Sequence, residues 1–195
     1  MWNSHTHTLA RDRYALNEGD DAHDLIVYLA GVRNKLLEPL HSLRSSSHLS
    51  HVLFVNDVYF TAEDALLLLG TNGGDFDGAC GLDFYNGFYD RWVTRDARGR
   101  VLGRWYPYFV DPADAARLVA KQPVPVLACW NGMAAFRAQA LAMQQVRFRA
   151  SARDECYSSE CLNVFQDLRA LGQHEFFVNP RVIVAYEYRF YLLHR

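Results

Sequence analysis

Apolar and polar positions change rhythm several times along this chain. From Asp21 to Leu40, Leu25, Tyr28, Leu29, Val32, Leu36 and Leu37 recur at three- and four-residue spacing, the period of one helix face, and Pro39 marks the end. Val52-Leu53-Phe54-Val55 is instead a short unbroken apolar run that leads straight into Asn56-Asp57. Such a run predicts a strand buried on both faces, central in a parallel sheet. Thr61 followed three residues later by Asp64 has capping-box spacing and opens a helix through Leu69, which Gly70 and the glycines after it stop. Gly78 to Phe84 reads as a second buried strand. Asp111-Pro112 starts a short helix through Val119, with Asp111 as cap and Pro112 at the first position.

Pro123 to Cys129 reads as a third strand, ending at Trp130-Asn131-Gly132, and Met133 to Ala142 as a weak strand followed by a helix. Val146 to Arg149 is a short alternating segment. Glu155 leads into a helix ending near Leu171, with Gly172 as its stop, and Phe176 to Tyr186 holds one or two strands. Arg189 to Arg195 is amphipathic and basic. Strands alternating with helices predict an α/β fold.

Two of these strands end on carboxylates, Asp57 and Asp83. In open α/β sheets ligands bind off the carboxyl ends of the strands, and a carboxylate beside an amide there can hold a hard cation that in turn holds phosphate. The competing reading is a turn, because Asn and Asp hydrogen-bond their own backbone. The loop over residues 84–96 mixes aromatic rings with Asp and Arg, a composition that suits sugar C–H faces and hydroxyls.

Composition narrows the classes. The chain has 195 residues, 50% hydrophobic and 14% aromatic, enough for a substantial core in one domain over residues 21–195 behind an irregular stretch at 1–20. A net charge of -2 provides no basic field for nucleic acid. No run approaches the length of a membrane span, and the first residues lack the pattern of a signal peptide. His5 and His7 read as solvated terminal residues. Cys80, Cys129, Cys156 and Cys161 are too few for a disulfide scaffold and lack zinc-site spacing. Cys156 and Cys161 could bridge each other, pair with Cys80 or Cys129, or stay free.

A family resemblance rests on motifs in order: Arg33-Asn34 on the first helix, Val52 to Val58, Cys80-Gly81-Leu82-Asp83-Phe84, Tyr89-Asp90, Arg95-Asp96 and Tyr106-Pro107-Tyr108-Phe109. Cys129-Trp130-Asn131-Gly132-Met133, Arg147-Phe148-Arg149, Glu155 to Cys161 and Pro180-Arg181-Val182 continue it. From about Leu25 to Tyr186 the chain resembles the fungal capsule-associated α-1,3-mannosyltransferases. The resemblance implies a GT-A-like nucleotide-diphospho-sugar transferase fold with a mixed, mostly parallel sheet flanked by helices. It implies GDP-mannose as donor, a mannose-containing glycan of capsule polysaccharide as acceptor, and a Golgi or secretory-pathway location through a membrane anchor. Family members carry that anchor and a first nucleotide-binding strand-helix unit ahead of this region. Residues 1–20 are too few and too polar to supply either, so the chain is expected to lack them and to catalyse poorly alone.

The resemblance also implies roles. Arg33, Asn34, Asn56 and Asp57 would bind the donor, with Asp57 as the ligand of Mn2+ or Mg2+. Asp90, Arg95, Trp130 and Asn131 would bind the acceptor. An α-linked product from an α-linked donor means retention. Retention needs either a carboxylate on the far face, for which Glu160 and Asp83 are the candidates, or same-face attack guided by the leaving group. A carbohydrate- or nucleotide-binding remnant without catalysis is the alternative from another class.

Overall fold

The computed structural model describes residues 20–42, 49–142 and 146–195; His5, His7 and most of the polar stretch at 1–20 lie outside them. In chain order the elements are α1 (Asp20–Ser42), β1 (His51–Val55), α2 (Ala62–Leu69), β2 (Gly78–Phe84), β3 (Arg95–Asp96), α3 (Pro112–Val119), β4 (Val124–Ala128), β5 (Met133–Arg137), α4 (Ala138–Ala142), α5 (Glu160–Ala170), β6 (Phe176–Ala185) and α6 (Tyr188–His194). The α/β expectation holds. The strands form one six-stranded sheet in the order β1-β5-β2-β6-β4-β3.

Two expectations are corrected. The sheet is not mostly parallel: β2 and β6 pair in parallel, while the other four ladders are antiparallel. Nor is β1 central. It is an outer strand in which only Phe54 is buried and Val55 is exposed. Helical crossovers keep successive strands parallel, as they do for β1 and β2, but the chain reverses between β2 and β4. β4 and β5 therefore both run against β2 and β6, and the short Trp130-Asn131-Gly132 connection places β5 between β1 and β2. An apolar run reports burial propensity, not which neighbours a strand will have. Because β1 and β2 are both antiparallel to β5, they point the same way, so Asp57 and Asp83 leave from one edge.

Successive side chains of the inner strands alternate between two cores, as the pleat requires. Cys80, Leu82, Ala134, Phe136 and Val178 face the layer containing Leu37, Val164 and Leu168 of α1 and α5. Ala79, Met133, Ala135, Phe177 and Val184 face Leu68 of α2. Local signals behave as expected at α2, where Thr61 and Asp64 make the reciprocal capping box and Gly70 is the C-cap, and at α3, where Asp111 accepts from Ala113 N. α1 runs through Pro39 to Ser42, with Leu40 packed against the core. α5 starts at Glu160, inside the motif that leads into it, because the Ser159 hydroxyl caps Leu162 N at 3.1 Å.

The β2–β6 register slips between Cys80 and Leu82, where a Cβ on Gly81 would stand 2.8 Å from Val182 Cγ1. Only glycine allows that approach. The disulfide is Cys80–Cys129, a pairing the sequence did not suggest, and it ties β2 to the end of β4; Cys161, buried, and Cys156, exposed, stay as thiols, one of the alternatives left open.

Candidate active site

The segment after β1 runs along the carboxyl edge of the sheet. Asn56 N donates to Gly132 O at 2.9 Å, beside the start of β5, and Tyr59 N donates to Ala185 O at 2.8 Å, at the end of β6. Asp57 lies between these two anchors, exposed, above the end of β2. The left-handed turn at Asn131 (φ 51°) and Gly132 (φ 67°) makes the first anchor possible. A Cβ on Gly132 would come 2.7 Å from Val58 Cγ1.

Asp83 is the next-to-last residue of β2 and is fully buried. Its Oδ1 accepts from Asp90 N at 3.1 Å, while its Oδ2 makes no hydrogen bond of ordinary geometry, although the Tyr186 hydroxyl lies beside it. Burial first, and the neighbouring Asp90 second, push the Asp83 carboxyl well above the ordinary carboxylate range. Asp90 is raised too, by burial, against the pull of the Asn131 and Val93 amides and of Arg95. Its two oxygens accept from Asn131 N at 3.1 Å and Val93 N at 3.2 Å. Asn131 is fully buried: its side chain accepts from Thr94 Oγ1 at 2.6 Å and donates to Gly81 O at 2.7 Å. It therefore fastens the loop after β2 to the sheet.

Arg33 reaches in from α1. Its guanidinium pairs with Glu160 at 3.2 Å, with side chains 14% and 3% exposed, and lies over the Trp130 ring at 4.6 Å. The Trp130 indole N–H donates to Asn56 Oδ1 at 3.3 Å. Trp130 is buried and packs on Phe54, Phe136 and Phe148. Asn34 is engaged at both ends with the Phe148 backbone, donating to its oxygen at 2.8 Å and accepting from its nitrogen at 3.0 Å. Arg95 bonds the Arg91 and Thr94 carbonyls and lies within electrostatic reach of Asp90, as does Glu160.

Most residues that the sequence singles out thus belong to one connected region. Asn56, Trp130, Arg33 and Glu160 form one chain of contacts, and Asp83, Asp90, Asn131 and Arg95 another, joined at the Trp130-Asn131 turn. Asn34 serves the wall of that region. Tyr186 escaped the sequence reading. Its hydroxyl is raised by burial, then by Asp83, Asp90, Tyr89 and Asp57, so it stands where the two acidic strand ends meet. Its signal was only its place after the last strand. Thr94 also went unnoticed, since nothing local marks it as the partner of Asn131.

Among the described residues no group of three or more His, Cys, Asp or Glu is arranged to hold a metal ion. Asp57 beside Asn56 places one carboxylate and one amide at the carboxyl edge of the sheet. That donor set suits a magnesium-like cation completed by substrate phosphates and water, rather than an all-protein cage.

Fold and site together define an α/β domain with a cluster of acidic side chains at the carboxyl edge of its sheet. The chain belongs to the cryptococcal mannosyltransferase 1 family, whose model matches residues 2–167. It is thus a member of a mannosyltransferase family, and every site residue taken from the sequence lies inside the matched stretch, whereas Tyr186 lies beyond it. No curated protein matches the chain. No helix among the described residues is long and apolar enough to cross a membrane.

Proposed function

We propose that this sheet edge transfers mannose from GDP-mannose to a mannose-containing glycan, forming an α-1,3 linkage with retention, on a GT-A-like fold in the Golgi or secretory pathway. The observation that carries the reading is the convergence of Arg33, Asn56, Asp57, Asp83, Asp90, Trp130, Asn131 and Glu160 from distant segments onto one sheet edge, within a mannosyltransferase family. The order of parts supports the GT-A-like assignment: the helix carrying Arg33-Asn34 precedes the strand ending in Asn56-Asp57. The buried Cys80–Cys129 disulfide supports an oxidising compartment.

In this reading Asp57 holds Mn2+ or Mg2+, with Asn56 as a weaker ligand or as the group that orients Asp57. The cation supplies positive charge against the departing diphosphate. Asp90 and Arg95 hydrogen-bond the acceptor. Trp130 and Asn131 fix the walls of the site, since both are buried and their polar groups are used inside the protein. Asn34 positions the Phe148 segment behind Arg33.

Transfer breaks the bond between mannose C1 and the phosphate oxygen and forms one from C1 to the acceptor oxygen, whose proton must leave. Glu160 and Asp83 are both shut away from solvent, and Glu160 is engaged by Arg33. Their burial favours same-face attack, with the acceptor proton passing to the leaving phosphate. Glu160 then works by holding Arg33 in place, and Asp83 by holding the Asp90 loop. The same burial also favours a second reading, a carbohydrate- or nucleotide-binding domain that does not turn over.

The test is incubation with labelled GDP-mannose, Mn2+ and α-linked mannobiose, read as a new α-1,3 linkage, beside calorimetry of donor binding. Linkage formation supports the first reading. Metal-dependent binding without transfer or hydrolysis leaves the second, and no binding of either sugar or nucleotide sinks both.

A further inference from the structure

Trp92 and Tyr157 have no part in the reading above. Trp92 stands in the loop after Asp90 and is 46% exposed; Tyr157 stands just ahead of the Ser159 cap and is 54% exposed. Two segments distant in sequence bring their ring centroids to 6.3 Å, with the planes tilted by 34°. Single exposed aromatics are ordinary. This pair differs because firmly held backbone carries both rings.

On one side, Asp90 Oδ1 accepts from Val93 N at 3.2 Å, Arg91 Nε donates to Leu102 O at 2.9 Å, and Thr94 is tied to Asn131. On the other, Ser158 N donates to Ser151 Oγ at 3.0 Å and Ser158 Oγ donates to Asn163 Oδ1 at 2.5 Å. The rings are wet but their positions are set in advance, so a ligand laid on them pays little ordering entropy.

We propose that Trp92 and Tyr157 form a stacking subsite for a pyranose ring of the acceptor glycan, beside the ring that receives mannose. This rests on the mannosyltransferase reading of that sheet edge. A pyranose has an apolar C–H face that suits an aromatic surface and a rim of hydroxyls that suits charged partners. Of the acceptor-binding pair of that reading, which flanks Trp92 in sequence, Arg95 is partly exposed and offers such a partner. The guanine of the donor could also stack on a ring. The acceptor is the better occupant because these rings sit on the segments that carry Asp90 and Glu160, whereas the donor phosphates belong at Asp57, on the segment leaving β1.

The test uses the full chain and α-linked mannotriose. In Trp92→Ala the KM for mannotriose rises roughly tenfold, the loss of one such contact, while the KM for GDP-mannose and the rate of donor hydrolysis stay at the unmodified values. Trp92→Phe, which keeps a ring face, recovers most of the loss. A rise in the donor KM instead assigns the rings to the base and overturns the proposal, as does an unchanged mannotriose KM. Saturation-transfer NMR of mannotriose without donor reads the subsite in the absence of turnover. Signal that disappears in Trp92→Ala, in a chain that transfers no mannose, upholds the subsite and removes the catalytic reading. No signal with the unmodified chain, or equal signal from both, overturns the subsite.

Discussion

The Arg33 guanidinium pairs with the Glu160 carboxylate at 3.2 Å and lies 4.6 Å over the Trp130 ring, so one cation ties the first helix, the start of α5 and the β4–β5 turn together. Removing one partner of a buried ion pair leaves the other charge uncompensated. Glu160→Gln should therefore lower stability by about 3 kcal/mol at neutral pH. Urea unfolding measures it. A change within half of that, roughly 1.5 kcal/mol, would mean the pair relaxes into solvent.

Asp57 is exposed at the carboxyl edge of the sheet. Asp57→Ala should abolish Mn2+-dependent GDP-mannose binding in calorimetry and shift stability by no more than about 0.5 kcal/mol, as exposed substitutions do. Undiminished affinity would move the metal role to another residue.

Gly132 holds a positive φ of 67°, and a Cβ there would meet Val58 Cγ1 at 2.7 Å. Gly132→Ala should cost about 1–3 kcal/mol in backbone strain. Because Val58 adjoins Asp57, the same variant should weaken donor binding, whereas Gly172→Ala, with open space around its Cβ position, strains only its own turn. Thermal melts and donor titration of both variants provide the comparison. Intact donor affinity in a destabilised Gly132→Ala would uncouple the turn from the Asp57 segment.

Burial and Asp90 raise the Asp83 carboxyl in the folded state. A raised carboxyl stabilises the fold fully below its unfolded pKa and loses that contribution as pH climbs through the folded value. Asp83→Asn keeps an acceptor for Asp90 N and carries no charge. It should be more stable than the unmodified protein at pH 7, and the difference should vanish toward pH 4. Guanidinium unfolding across this range measures both. A gain that stays constant with pH would have a cause other than Asp83 ionisation.

The Cys80–Cys129 disulfide closes a separation of 49 residues. Cys80→Ala/Cys129→Ala should lose about 2–4 kcal/mol, largely through the freer unfolded chain. Denaturation of the unmodified protein with and without reductant should reproduce the loss. Identical curves would mean that the two thiols contribute only packing.

The sequence by itself determined what short-range chemistry controls. The capping box at Thr61 and Asp64, the Asp111-Pro112 helix start and the buried run from Gly78 to Phe84 all lie where their local patterns put them, because caps and pleats act within a few residues. The acidic strand ends Asp57 and Asp83 were legible for the same reason, and the ordered motifs carried the family. Neighbourhood was not legible. The Val52 to Val55 run has the composition of an inner strand yet lies at the edge, because β5 is inserted between β1 and β2. Which cysteines pair, that Asn131 meets Thr94, and that Tyr186 comes up against Asp83 depend on contacts across long separations. Apolar pattern and turn chemistry specify each segment's own conformation. Only the assembled sheet, packed on both faces, decides which polar groups meet at its carboxyl edge and which of them lose their water.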